Sequence, residues 1–297
     1  MFDLYGTIVT QSVHDTMPAR TPTPTPSHTR LLRARDWVRD TNAVIRAAFA
    51  QRAHVTTEKS ANDVATETDR AVEAWLAAQI AAAFPGDVLL GEEGGERQLG
   101  DAAATGVRWI VDPLDGTFNF VHGFPYIATS IAIERDGTIE AALIANPLTG
   151  ETFVAERGSG AWLHREGVTA APERLAVSAC AALPRALVSG VLPSSASPSF
   201  ARVFAAWSDI AHRAASIRRT GAAALDLAHV AAGRLDGFVV MSLAAWDAAA
   251  GALLVDEAGG RICDFRGGTD YLRTNEVIAG TPGVSADMVN CLQPHAT

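Results

Sequence analysis

The chain has 297 residues, of which 48% are hydrophobic and 19% charged, and it carries a net charge of −9. This is globular rather than disordered composition, long enough to bury a core without a metal or disulfide staple. The acidic balance argues against a general nucleic-acid or anionic-membrane binder, and the three cysteines form no CxxC pair, which excludes a zinc ribbon or a dithiol redox motif.

Residues 1–30 contain the run Thr21-Pro22-Thr23-Pro24-Thr25-Pro26 and are expected to form a disordered Thr/Pro-rich tail. The first helix is expected near Leu31, with Leu31, Ala34, Trp37, Val38, Ile45 and Phe49 at helical spacing. A second helix is expected to follow Asp69, capped by Thr66 or Thr68, with Val72, Trp75, Leu76, Ile80 and Phe84 on one stripe and Pro85-Gly86 as its stop. The most apolar stretch, Ala74 to Phe84, is too short to span a bilayer, so a cytoplasmic protein is expected.

Asp87–Leu90 and Arg108–Val111 read as strands that lead into Gly- and Asp-rich loops. Ile127–Glu134, Ile139–Asn146 and Glu151–Glu156 read as a meander, turned at Asp136-Gly137 and Thr149-Gly150. Beyond Ala170 the pattern alternates. Ala186–Leu192, Ser216–Arg218, Gly237–Met241 and Arg261–Asp264 read as strands, while Phe200–Ala211, Ala222–Ala232 and Ala248–Ala258 read as helices. The fold class is therefore α/β, with an α+β unit over 31–175 and an α/β unit over 176–297.

Four acidic stations stand out: Asp69, the Gly91-Glu92-Glu93-Gly94-Gly95 loop, Asp112 and Asp115 in Asp112-Pro113-Leu114-Asp115-Gly116-Thr117, and Asp247 after Trp246. Strand ends and helix starts are where α/β proteins gather site residues. Pro113 keeps Asp112 extended, and a tight turn can aim Asp112 and Asp115 at one point, with the Leu114 carbonyl between them. Gly116 permits close approach of a ligand. The amides around Thr117 can open a helix that seats a phosphate. Oxygen donors without a His or Cys cluster suit Mg²⁺, Mn²⁺ or Ca²⁺. Two such ions ~3.5–4 Å apart can activate a water and stabilise a leaving oxygen on phosphorus. Taken singly, each station reads more readily as a surface turn, a solvated loop or a helix cap. Their joint occurrence in this order points to metal-assisted phosphoester hydrolysis.

Four ordered blocks resemble the inositol monophosphatase family of lithium-sensitive, Mg²⁺-dependent phosphatases: Lys59–Asp69, Gly91–Glu93, Trp109–Pro125 and Trp246–Gly260. The resemblance spans roughly residues 31–290 and implies a layered αβαβα sandwich and a homodimer. It implies that Glu92, Asp112 and the Leu114 carbonyl hold one Mg²⁺, that Asp112, Asp115 and Asp247 hold a second, and that a weaker third sits near Glu92; Mn²⁺ is an alternative. Glu92 and Thr117 would position the attacking water, with Asp69 hydrogen-bonded to Thr117. Gly116 and Thr117 amides would hold the phosphate, and Lys59 would lie near the mouth. Asp115, Asp247, Gly221, Ala222, Ala223 and the position of Val240 would meet the rest of a small phosphate monoester.

The chain departs from the family at Val240, where inositol-cleaving relatives usually carry a glutamate that grips a sugar hydroxyl. Phe118-Asn119-Phe120 after Thr117 is typical of the inositol-phosphatase branch. The expected substrate is inositol 1-phosphate or a related polyol or sugar phosphate. Histidinol phosphate, fructose 1,6-bisphosphate and 3′-phosphoadenosine 5′-phosphate are the alternatives. A regulatory binding protein of the transcription machinery is an alternative of another class. His122 and the Arg218-Arg219 pair read as structural or solvated residues.

Overall fold

The computed structural model describes residues 25–52, 56–60, 63–192 and 197–296, with backbone alone for 56–60 and 63–64. Helix α1 (Pro26–Gln51) starts before the expected Leu31. Thr25 is its N-cap and accepts from His28 N at 3.0 Å, and Pro26 occupies the first turn, where a missing N–H costs nothing. The extra turn is tied down by tertiary contacts. Arg30 makes two 2.7 Å bonds to Asp87, and buried Ser27 donates to Glu140. Residues 26–30 therefore belong to the helix, which corrects the expected tail; the remainder of that tail, apart from Thr25, lies outside the described residues.

Strands β1 (Thr56–Ser60) and β2 (Asp63–Thr66) pair antiparallel ahead of α2 (Glu67–Ala83). Thr66 caps α2, and Asp69 at the third helical position reaches back to Thr66 N at 2.9 Å, closing a capping box. The helix thus begins at Glu67 and contains Asp69 rather than following it.

The first sheet comprises β3 (Val88–Gly91), β4 (Gly95–Gln98), β5 (Val107–Asp115), β6 (Ala128–Arg135), β7 (Thr138–Asn146), β8 (Glu151–Glu156), β9 (Gly160–Arg165) and β10 (Glu173–Arg174). Its order is β10-β9-β8-β7-β6-β5-β3-β4, antiparallel except for β3 beside β5. Asp136 (φ 50°) and Gly137 (φ 80°) turn β6 into β7, as the Asp-Gly pair predicts. Helix α3 (Thr117–His122) sits between β5 and β6.

The second sheet collects β11 (Leu187–Gly190), β12 (Ser216–Arg218), β13 (Gly237–Met241), β14 (Arg261–Cys263) and β15 (Glu276–Gly280) in the order β12-β11-β13-β15-β14. Helices α4 (Phe200–Arg213), α5 (Ala223–Ala231), α6 (Ala245–Glu257), α7 (Tyr271–Thr274) and α8 (Pro282–Leu292) complete the chain. β15 and α8 were not anticipated from the sequence. β15 runs antiparallel to both its neighbours, so this half is mixed rather than purely parallel.

Strand alternation builds five layers. On β5, Trp109 and Val111 face α1 and α2 in one core, while Ile110 faces α5 and α6 in another. On β13, Phe238 and Val240 join that second core, whereas Val239 and Met241 turn toward α4 and α8. Helices α5 and α6 are shared between the two sheets, giving an αβαβα sandwich. No helix among the described residues is long and apolar enough to cross a membrane.

Candidate active site

Asp112 and Asp115 lie three apart, and on a regular strand an odd spacing would place them on opposite faces. Pairing with β6 resolves this. Asp112 opposes Ser130 and Asp115 opposes Ala128, so three steps on β5 match two on β6. The bulge inserts one residue and returns both carboxylates to the same side. Pro113 fits inside the bulge because a ladder N–H is not needed there, and Leu114 N donates to Asp112 Oδ1 at 2.9 Å. Asp112 and Asp115 are 1% and 7% exposed.

Asp247 arrives on the first turn of α6, where its carboxylate accepts from Ala244 N at 3.3 Å. Ser130 of β6 holds the preceding carbonyl, Trp246 O, at 3.0 Å. One carboxylate oxygen each from Asp112, Asp115 and Asp247 lies within 4.8 Å of the others. Glu92 stands in the turn after β3, and its N–H donates to Val111 O at 3.2 Å, which sets the turn beside Asp112. Burial, and then the charges of Glu92, Asp115 and Asp247, push Asp112 well above the usual carboxylate range. Burial and Asp247 do the same to Asp115, against amide hydrogen bonds that favour its anion. This mutually repelling set of carboxylate oxygens, two of its members buried, fits a hard divalent cation.

Thr117 places its hydroxyl 2.9 Å from Asp69 Oδ1 and 3.0 Å from Leu114 O. Asp69 is fully buried, and its second oxygen accepts from the Thr66 amide and hydroxyl. Burial raises the Asp69 carboxyl above its ordinary value, while the bonds from Thr66 and Thr117 oppose that rise. A hydroxyl has one proton to give. With that proton on Asp69, Thr117 keeps lone pairs free to accept from a water. Gly116 (φ +87°) must be glycine, since a Cβ there would stand 2.9 Å from Tyr126 O and 3.1 Å from Ala222 Cβ.

The same closeness explains the small residues of the Thr220–Ala223 loop. Asn119 Nδ2 donates to Thr220 O at 2.9 Å and to Tyr126 O at 2.8 Å, tying α3 to the loop. Ala222 is fully buried, and Gly221 (φ +91°) is exposed. The amides of Ala223, Ala224 and Leu225 donate to the Asp115 carboxylate at 3.1, 2.8 and 3.3 Å. Asp115 thus caps α5 from 108 residues away in sequence. The Ala223 amide is turned to Asp115, so its place in the site is through that carboxylate. Val240 is 2% exposed within the shared core, opposite Val277, and presents only apolar surface there.

Glu73 was missed by the sequence analysis. It is 2% exposed on the core-facing side of α2, and its carboxylate accepts from Glu93 N at 2.8 Å and Gly94 N at 2.9 Å. Arg97 adds a third bond at 3.2 Å. The turn that carries Glu92 therefore wraps around a buried carboxylate. A Cβ on Gly91 would lie 2.4–2.6 Å from that group, which explains the glycine. The available signal was an acidic residue beside Val72 and Leu76 on an apolar stripe. Tyr126 was missed too; its hydroxyl donates to Asp226 at 2.6 Å and lies 3.2 Å from His229 Nδ1. The side chain of Lys59 lies outside the described residues. His122 lies against exposed Phe118 with ring centres 4.3 Å apart and the planes tilted by 31°, and Arg218 and Arg219 are exposed.

A family model described as the inositol monophosphatase family matches residues 28–296. The chain is 40% identical over 240 residues to the Nus factor SuhB of Pseudomonas aeruginosa, covering 80% of this chain and 86% of that protein. It is 40% identical over 235 residues to the inositol-1-monophosphatase of Rhizobium meliloti, covering 79% and 85%. Among solved structures, the extragenic suppressor protein suhB of Bartonella henselae superimposes with a TM-score of 0.78 at 36% identity, covering 86% of this chain and 94% of that one. The Thermotoga maritima IMPase gives 0.77 at 30% identity, covering 90% and 98%. With this site and these relatives, the chain belongs to the inositol monophosphatase family of metal-dependent phosphatases.

Proposed function

We propose that the chain hydrolyses small phosphate monoesters with Mg²⁺ held by Glu92, Asp112, the Leu114 carbonyl, Asp115 and Asp247, in two or three positions, with Mn²⁺ as a substitute. The observation that carries this reading is the convergence of three carboxylates within 4.8 Å beside the Asp69–Thr117 pair. Bound Mg²⁺ would supply Lewis-acid activation of water and charge neutralisation at phosphorus. The protein's own part is positional. Thr117, oriented by Asp69, accepts from the attacking water, and Glu92 is its second acceptor. Gly116 and Thr117, which open α3, keep amides outside the helix's own ladder and turn them to the phosphate. Asp115, fixed by the first turn of α5, cannot rotate away from the site, which preorganises it.

The substrate is inositol 1-phosphate or a related polyol or sugar phosphate. The name of the Rhizobium meliloti relative and the Phe118-Asn119-Phe120 sequence support this choice. Val240 supplies no hydrogen bond to a sugar hydroxyl, so discrimination among polyols is expected to be weak. The two sheets correspond to two subdomains that meet near residue 175, the first beginning with α1 at Pro26, in a cytoplasmic homodimer that LiCl inhibits. The test is Mg²⁺-dependent phosphate release from inositol 1-phosphate, glycerol 2-phosphate, fructose 1,6-bisphosphate, histidinol phosphate and 3′-phosphoadenosine 5′-phosphate, with Asp112→Asn as blank. Preferred turnover of inositol 1-phosphate supports the reading; absence of metal-dependent release from all of them rejects it. A second reading, a regulatory role, is favoured by the Nus factor relatives. It predicts that Asp112→Asn retains function in cells, whereas the enzyme reading predicts loss.

A further inference from the structure

A second polar pocket opens between α1 and strands β8 and β9 and shares no residue with the carboxylate site. Its volume is about 260 Å³, and Arg35, Arg39, Asn42, His164, Arg165 and Glu166 are among its walls. The charges do not cancel. Glu166 is bound by Arg46 at 2.8 and 3.2 Å, and Arg165 by Glu173 at 2.9 Å. Arg35 instead has His164 Nδ1 as its partner at 3.1 Å. Burial, reinforced by Arg35 and Arg39, lowers the His164 pKa, and an imidazole brings no negative charge to offset the guanidinium. Among the described residues, Arg39 pairs with Asp36 alone, at 3.5 Å on the exposed surface. An anion entering the pocket therefore meets two guanidinium groups, a geometry suited to phosphate or carboxylate oxygens.

Asn42 adds a second requirement. It is 3% exposed and lines the same pocket, and its Oδ1 has no hydrogen-bond partner among the described residues. A buried carbonyl oxygen left in this way calls for a donor. A fully ionised oxyanion cannot provide one, whereas an alcohol hydroxyl can. The volume limits the occupant to a small molecule. We propose that this pocket is a second ligand site for a small hydroxylated anion of the phosphorylated-polyol type. Arg35 and Arg39 take its anionic group, and Asn42 takes a hydroxyl.

The test is calorimetric titration of the full chain with glycerol 2-phosphate, inorganic sulfate and glycerol in EDTA, where metal-dependent turnover cannot consume the probe. The expected result is saturable binding of glycerol 2-phosphate, tighter than that of sulfate, with glycerol the weakest. Arg35→Gln weakens it at least about tenfold, as loss of a charge-assisted hydrogen bond does. Asn42→Leu removes the preference for glycerol 2-phosphate over sulfate, and Asp112→Asn binds like wild type. Should Arg35→Gln not fold, Arg39→Gln, on an exposed side chain, is expected to weaken binding in the same way. Absence of saturable binding in the millimolar range overturns the proposal. So does binding that Asp112→Asn abolishes and the arginine variants leave unchanged.

Discussion

Replacing Glu73 by glutamine changes one carboxylate oxygen to an NH₂ group and little else in shape. The two oxygens now accept from Glu93 N at 2.8 Å and Gly94 N at 2.9 Å, in a site that is 2% exposed. Whichever way the amide turns, one of these N–H groups faces another donor. Leaving one part-buried donor unpaired and weakening the other bond is expected to cost about 1–3 kcal/mol of stability. Because the turn carries Glu92, relaxation of Glu93 and Gly94 moves that carboxylate away from Asp112. Losing such outer support of a metal ligand weakens affinity by about 10–100-fold. Urea unfolding measures the first effect. Titration of phosphatase activity with Mg²⁺ measures the second, and kcat should recover largely at saturating Mg²⁺. Arg97→Met serves as the control, since Arg97 is 34% exposed and its loss is expected to cost less than about 1 kcal/mol. A Glu73→Gln protein with wild-type stability and an unchanged Mg²⁺ requirement would refute the reasoning, because the turn would then be held by something else.

Asp112→Asn should abolish Mg²⁺-dependent phosphate release yet raise the Tm of the EDTA-treated protein, because it removes one charge from a buried cluster of like charges; a lower metal-free Tm would contradict this. His229 titrates near 4, lowered from 6.5 by burial and then by Arg234. The unfolded chain takes up that proton first, so this contribution to stability is intact above pH 6.5 and is lost as the pH falls toward 4, by up to about 3 kcal/mol. Asp226, raised to about 6 chiefly by burial, has the opposite sign over much of the same window. Wild type compared with His229→Gln in urea at pH 7 and 4.5 isolates the histidine, and equal losses in both proteins would exclude it. Val240→Glu restores the residue type that inositol-cleaving relatives carry, but at a site 2% exposed in the shared core it should cost several kcal/mol and lower the Tm sharply. A stable variant with a lower KM for inositol 1-phosphate would show that the side chain reaches the substrate.

Much of the fold was legible because its signals are local. Apolar stripes marked α1 and α2, the Asp136-Gly137 pair marked a hairpin, and alternating segments marked the second sheet. The start of α1 was misjudged because a Thr-Pro run looks extended by itself; Arg30 and Asp87, 57 residues apart, hold that turn. Strand β15 and helix α8 were not anticipated; β15 is buried along its whole length between β13 and β14 and so lacks the polar alternation that marks a half-exposed strand.

Residue chemistry by itself pointed to oxygen donors suited to a hard cation, because Asp69, Glu92, Asp112, Asp115 and Asp247 occur together in this order with no His or Cys cluster beside them. Tertiary structure decided the rest. Strand register against β6 created the bulge that turns Asp112 and Asp115 to one side. The first turn of α5 fixed Asp115, and buried Glu73 shaped the turn that carries Glu92. Burial, not composition, lifted the affinity of these carboxylates for protons. Each of these depends on groups brought together across many residues of chain, and spacing along one sequence carries no record of which distant N–H will face which carboxylate.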